Sequence, residues 1–172
     1  MLFLPLEISG TFGIIEPAKS DDRGFLTRIW DINTQLGEFK LTQSSFVTNP
    51  RSGTLRGLHY QDEPYSENKA VLCVIGRVFD VILDLRKDSK TSGKYLSYEI
   101  GAGCEFLGLF VPKGCAHGYL TMDSDSSLVY YMDQEYSAEH ARGVRWNDPK
   151  FSIKWPSNPL IISERDADWP MI

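Results

Sequence analysis

Short runs that alternate apolar and polar residues, each closed by Gly, Pro, Asn or Asp, recur along the whole chain. No stretch sustains the 3.6-residue period of a long amphipathic helix. This punctuation is the strongest constraint on the fold, because period-two runs make strands and the breakers between them make turns. Residues 25–30, 53–61, 69–75, 77–85, 95–100, 106–111, 118–122 and 127–132 read as strands. Many short strands without long helices must cover one another or close on themselves, since an open sheet leaves a face and two edges unsatisfied. The expectation is an all-β jelly-roll barrel with short peripheral helices. Two helical turns are predicted, at 31–37 behind the cap Asp31 and at 163–168 behind the cap Ser163. A length of 172 residues suits one domain spanning 1–172.

Charge and cysteine usage exclude several classes of function. The formal net charge is −5 and there is no basic run, so the chain is not expected to grip nucleic acid. A small anion such as a diphosphate needs only a few placed Arg and Lys and stays open. Cys73, Cys104 and Cys115 are odd in number and lack CxxC spacing, which reads as buried thiols in a reducing cytosol. The apolar start at 1–6 is broken by Pro5 and followed by Glu7, unlike a signal peptide. No run approaches the roughly 20 apolar residues of a membrane span. The expectation is a cytoplasmic protein without a membrane partner.

Residues 77–86 are the most informative strand. Phe79, Val81, Leu83 and Leu85 fall on one face, Asp80, Ile82 and Asp84 on the other. At a sheet edge the second set would meet bulk water, the commoner case; in a barrel it would point into a polar lumen. Three histidines exist, His59, His117 and His140, the last reading as a solvated loop residue. The segment 111–118 carries PxGxxHG, which is similar to half of the cupin signature. The HxH half that metal-binding cupins need reads His59-Tyr60-Gln61, so no metal is expected. An imidazole can nonetheless take a proton from carbon if a carboxylate orients it and the carbanion is delocalised. A lysine would steady the enolate oxygen and a tyrosine across the ring could return a proton. From spacing alone, His59 reads equally well as a hydrogen-bonded structural residue. Arg56 and His59 are three apart and face opposite ways in a regular strand, so either Gly57 marks a bulge or Arg56 lies outside the pocket.

Six segments occur in order: DDRGF at 21–25, GTLRGLHYQ at 53–61, VFDVILDLR at 78–86, VPKGCAHG at 111–118, VRWNDP at 144–149 and ISERD at 162–166. Together they resemble the dTDP-4-dehydrorhamnose 3,5-epimerase family of sugar-nucleotide cupins. LRGLHYQ with a later PxGxxHG is a specific combination, whereas DRGF or WNDP alone is weak. The resemblance implies a cupin-type jelly roll (double-stranded β-helix) and a cofactor-independent epimerase of a nucleotide-linked 4-keto-6-deoxy sugar. It makes His59 the general base, Asp166 its orienting partner and Tyr130 the general acid. Lys69 and His117 would line the site around the keto group, with Asp84 as the candidate carboxylate beside Lys69. Arg56 would contact phosphate, and Arg23 the nucleotide end. Phe25, Gln43 and Ser45 fall where the nucleotide is bound, and Tyr136 is a supporting member. A homodimer is implied in which N-terminal strands pack on the partner's sheet.

Arg28, Ser44 and Ser45 depart from the family's usual residues near the nucleobase, which keeps dTDP, CDP and GDP open. Tyr131, after the acid, keeps open whether C3, C5 or both invert. A single-carbon epimerase, a keto-isomerase or a non-catalytic sugar-binding cupin could use the same barrel. The set His59, Lys69, Tyr130 and Asp166 favours catalysis, because a binding module needs no base, acid and orienting carboxylate together.

Overall fold

A computed structural model describes residues 1–16, 19–29 and 39–172, with only the backbone described at Ser20 and Phe25. The strands follow the turn punctuation. β1 (Leu2–Pro5) and β2 (Phe12–Ile15) form one hairpin, β3 (Lys19–Asp21) and β4 (Gly24–Leu26) another. The body is β5 (Gln43–Asn49), β6 (Leu55–Gln61), β7 (Lys69–Ile75), β8 (Arg77–Asp84), β9 (Tyr95–Gly101), β10 (Gly108–Val111), β11 (Cys115–Thr121) and β12 (Ser126–Met132). β13 (Ala141–Gly143) and the helical turn α1 (Glu164–Ala167) follow.

Two antiparallel sheets result, ordered β1-β2-β10-β7-β12-β5 and β13-β6-β11-β8-β9. Between β5 and β12 the chain changes sheet at nearly every turn, β8 and β9 alone being paired neighbours in sequence. This is the expected jelly roll. Strand parity explains how both faces of each sheet are used. Val78 and Ile82 of β8 join Val71 and Cys73 of β7, Tyr119 of β11 and Leu128 of β12 between the sheets. The alternate residues Val81 and Leu83 lie on the outer face with Leu58 and Ala116, covered by Phe151, Ile153 and Trp155 of the C-terminal segment. On the other sheet's outer face Ala70, Leu72, Phe110 and Tyr131 pack with the N-terminal Ile14. At about 25 cal/mol per Å² of apolar surface removed from water, these layers supply the main drive to fold. No helix among the described residues is long and apolar enough to cross a membrane.

Several boundaries differ from expectation. β11 begins at Cys115 rather than 118, because Gly114 takes φ +79° and closes the turn early. A side chain there would also meet Arg86 at 2.6 Å. β4 ends at Leu26, while Trp30 and the helical turn expected at 31–37 lie outside the described residues. The turn at 163–168 forms as α1, where the Ser163 hydroxyl accepts from the Asp166 amide at 3.1 Å. β5 carries no apolar alternation in sequence, because its inward residues Gln43 and Ser45 line a polar cavity and its outward face is exposed. His140 is half-buried rather than solvated: it stacks on Tyr65 at 4.5 Å and bonds Ser137 through Nδ1 at 2.9 Å.

Candidate active site

The space between the sheets is apolar at one end and opens at the other into a cavity of about 390 Å³. Parity selects the residues that line it. Lys69 precedes Val71 and Cys73 on the inner face of β7, Tyr130 follows Leu128 on β12, and His117 lies between Cys115 and Tyr119 on β11. On β6 regular alternation would turn Arg56 away from His59. The pairing of β6 with β11 slips instead, from His117↔His59 to Tyr119↔Arg56, around Gly57 at φ +125°. A side chain at Gly57 would lie 2.5 Å from the Gly118 backbone. The irregularity therefore needs glycine, and it brings Arg56 and His59 into one cavity.

His59 and Asp166 meet across the end of the barrel, Nε2 lying 2.6 Å from Oδ1. Asp166 reaches that point from α1, and its other oxygen accepts from the Gly57 amide at 3.2 Å. Trp169 Nε1 donates to Oδ1 at 3.2 Å. Burial alone would raise the Asp166 carboxyl, but the hydrogen bond and charge of His59, with donors from Gly57 and Trp169, hold it below the usual carboxylate range. A carboxylate at Nε2 fixes the proton there and leaves Nδ1 as the free acceptor of the ring.

A second histidine–aspartate pair lies on the neighbouring strands. His117 Nε2 is 2.8 Å and 3.0 Å from the two oxygens of Asp80, and both residues are buried. Burial raises the Asp80 carboxyl against the opposing pull of His117 and Lys69. Asp80 thus takes the lumen-facing option that its strand parity left open.

Lys69 pairs with Glu67 at 2.8 Å, and both are almost wholly buried. This corrects the assignment of Asp84 as its partner. Asp84 is buried on the same face as Asp80 but lies beyond the cavity, where Arg86 binds both its oxygens at 2.8 and 2.9 Å. Ser89 and Thr91 donate to it at 2.5 and 2.6 Å. Burial would raise this carboxyl, yet these donors bring it far below the usual range and make it the anchor of the following turn rather than a substrate contact. Asp84 is one period-two step past Ile82, far enough to leave the cavity.

Tyr130 faces the cavity with its ring edge-on to His117 at 6.0 Å. Its hydroxyl is hydrogen-bonded to Tyr119, and burial pushes it well above the usual tyrosine range. Tyr119 donates on to Asn49 Oδ1 at 3.3 Å, which also receives Arg56 Nε at 2.9 Å. The mouth holds Gln43, Ser45, Tyr136, Arg142 and Arg165. Gln43 Oε1 accepts from the Tyr136 amide at 3.0 Å. Arg23 is not brought to this cavity: it sits in the β3–β4 hairpin, 89% exposed, paired with Asp21 at 2.5 Å. Phe25 is in β4, but its side chain is outside the described part.

Sequence reasoning left the face of Asp80 open between solvent and lumen, and missed Glu67, Tyr119, Asn49, Arg142, Arg165 and Trp169. Tyr119 shares parity with the recognised His117 and could have been found; Asn49, Arg142 and Trp169 arrive from distant segments. Among the described residues, no group of three or more His, Cys, Asp or Glu could hold a metal ion.

The family model described as dTDP-4-dehydrorhamnose 3,5-epimerase matches residues 5–172. A dTDP-4-dehydrorhamnose 3,5-epimerase of Sinorhizobium fredii is 36% identical over 166 residues, covering 92% of this chain and 84% of the relative. A dTDP-4-dehydrorhamnose 3-epimerase of Streptomyces niveus is 30% identical over 172 residues, covering 98% and 82%. The crystal structure of the Bacillus anthracis dTDP-4-dehydrorhamnose 3,5-epimerase with TDP and PPi bound is similar at TM-score 0.90 and 33% identity, covering 99% of this chain and 100% of that one. With sequence and fold matched over nearly the whole chain, this protein belongs to the dTDP-4-dehydrorhamnose 3,5-epimerase family.

Proposed function

We propose that this protein is a cofactor-independent isomerase that inverts C3 and C5 of a dTDP-linked 4-keto-6-deoxy sugar. The observation that carries the reading is that His59 on one sheet, paired with Asp166 of α1 at 2.6 Å, faces Tyr130 and Lys69 on the other sheet across a cavity. A 4-keto group acidifies the hydrogens on the carbons beside it, because their loss gives an enolate. Nδ1 of His59 takes the proton; Asp166 holds the ring's tautomer and steadies the imidazolium that forms. Lys69 and the buried His117–Asp80 pair, lining the same cavity, would steady the charge that develops on the keto oxygen. Tyr130, whose burial favours the protonated phenol, delivers a proton to the opposite face and leaves the carbon inverted. Repeating the cycle at the second carbon uses the same enolate chemistry.

Arg56, Arg142 and Arg165 give the mouth the positive charge that a diphosphate needs, and Tyr136 offers an exposed ring to the base. Arg23 joins the nucleotide end only from a second copy, so the reading includes a homodimer in which the exposed β3–β4 hairpin reaches a partner's cavity. Three free thiols suit a cytoplasmic setting.

The test is solvent exchange. The enzyme is incubated in heavy water with a 4-keto-6-deoxy sugar linked to dTDP, CDP or GDP, and deuterium is read at each carbon by NMR. Incorporation at C3 and C5 of the dTDP sugar is expected. Incorporation at C3 alone would make the protein a 3-epimerase, preference for CDP or GDP would reassign the base, and none with any base would overturn the reading.

A further inference from the structure

The residue that ties the base to the mouth of the cavity is Trp169, near the end of the chain. Its indole does three things at once. Nε1 donates to Asp166 Oδ1, the same oxygen that His59 Nε2 approaches. Its ring stands edge-on to the His59 imidazole at 6.2 Å. Its face carries the guanidinium of Arg165 at 4.9 Å, and Arg165 in turn donates to the Tyr136 hydroxyl at 3.4 Å. The position is built rather than incidental. Arg145 Nε donates to the Trp169 carbonyl at 2.7 Å, and the indole fills space left by Gly143, where a Cβ would come within 2.2 Å of the ring.

We propose that Trp169 is a positioning residue with two separable actions: its N–H shares Asp166 with His59 and so sets how tightly that pair holds a proton, and its ring face aims Arg165 at the diphosphate. This rests on the epimerase reading above. The first action depends on the N–H, the second on the aromatic face, so phenylalanine and alanine divide them. Without the N–H, Asp166 has one donor fewer and draws harder on the imidazole proton. The other charged or titratable groups sharing the cavity are Arg165 on α1, Arg56 and Tyr60 on β6, Lys69 with Glu67 at β7, His117 on β11, Tyr130 on β12, Tyr136 beyond it and Arg142 on β13. None is altered by Trp169→Phe.

The experiment measures the pH dependence of deuterium exchange, KM, and dTDP affinity for wild type, Trp169→Phe, Trp169→Ala and Gly143→Ala. Trp169→Phe is expected to move the acid limb of the rate profile up by about half a pH unit, with KM within about twofold. Trp169→Ala should show the same move together with roughly five- to tenfold weaker dTDP binding, as Arg165 loses its platform. Gly143→Ala, whose added Cβ would meet the indole first, should reproduce the limb shift. An unmoved acid limb in both Trp169→Phe and Gly143→Ala overturns the first action, and unchanged dTDP affinity in Trp169→Ala overturns the second. Should wild type exchange no deuterium, the epimerase reading falls. The proton midpoint of the pair, followed in the free protein by imidazole NMR, and dTDP calorimetry would still decide the role of Trp169.

Discussion

Two histidine–aspartate pairs have their histidines on adjoining strands of one sheet, His59 and His117 being direct cross-strand neighbours, yet their surroundings differ sharply. The His59 side chain is 44% exposed and its partner Asp166 7%, whereas His117 and Asp80 are 4% and 0% exposed. Asp166 draws donors from a backbone amide and an indole besides the imidazole, and its carboxyl is lowered; Asp80 is dominated by desolvation, and its carboxyl is raised. The same two side-chain types therefore meet different environments. The first pair has one ring nitrogen free, a lasting carboxylate behind it and access to the cavity, which are the needs of a proton acceptor. The second is almost wholly buried with its imidazole held by both Asp80 oxygens, which suits a group that orients a keto oxygen in the proposed reaction. Position relative to the cavity mouth, more than residue chemistry, separates the two.

The largest effect that could break this contrast is on proton abstraction. His59→Ala should lower deuterium exchange at both carbons by about a thousandfold or more, whereas His117→Asn should cost only about ten- to fiftyfold. Equal losses measured by NMR would mean the two pairs are not functionally distinct. Tyr130, packed against the second pair, sharpens the division between taking and returning a proton. Tyr130→Phe should keep exchange within about tenfold of wild type while inversion falls by about a hundredfold, read by chromatography of the sugar product. If exchange and inversion fell together, Tyr130 would act before the enolate, not after it.

A smaller effect concerns Lys69. Glu67→Gln leaves a hydrogen-bonding group beside Lys69 but removes the buried charge, and kcat is expected to fall by about tenfold with little change in KM. A matching loss in Asp84→Asn would revive the pairing excluded above.

The smallest expected effect is on stability, and its sign differs between the pairs. A carboxyl lowered from 3.8 on folding, as in Asp166, adds stability above that value and loses it as pH falls through the folded value. A carboxyl raised from 3.8, as in Asp80, is cheapest to fold when protonated, so its contribution worsens as pH rises from 3.8 through the folded value. The Tm deficit of Asp166→Asn should therefore shrink from pH 6 to pH 3. The Tm of Asp80→Asn relative to wild type should move the other way, improving as pH rises. Parallel trends in thermal melts would show that the two carboxyls share one environment.

The site was legible where a motif coincides with a strand or a capped turn. LRGLHYQ placed His59, PxGxxHG placed His117, and SExD placed Asp166, each within a segment whose local geometry follows from its own residues. The capped turn at Ser163 is of this kind, since the cap needs only a hydroxyl three residues before the amide it satisfies. Asp84 illustrates the limit. Its face was read correctly from period two, but alternation fixes direction and says nothing of depth, and at its depth Arg86 is the available cation. Glu67 was overlooked because it lies in irregular chain before β7, where no period points it anywhere. The family resemblance makes Arg23 a nucleotide contact, yet within one chain its hairpin leaves it with Asp21.

What the amino-acid order determined by itself is local: where turns fall, which residues of a strand share a face, and hence an all-β chain whose inner faces mix apolar and polar groups. Turn formation and side-chain alternation depend on neighbours a few residues apart, so they survive without knowledge of the fold. Tertiary structure alone decided that Asp166 meets His59 from 107 residues away, that Tyr119 and Asn49 link Tyr130 to Arg56, and that the indole of Trp169 settles against Gly143. Those contacts are made only once two sheets pack and exclude water between them. Their partners are chosen by depth, burial and packing, none of which is written in spacing along the chain.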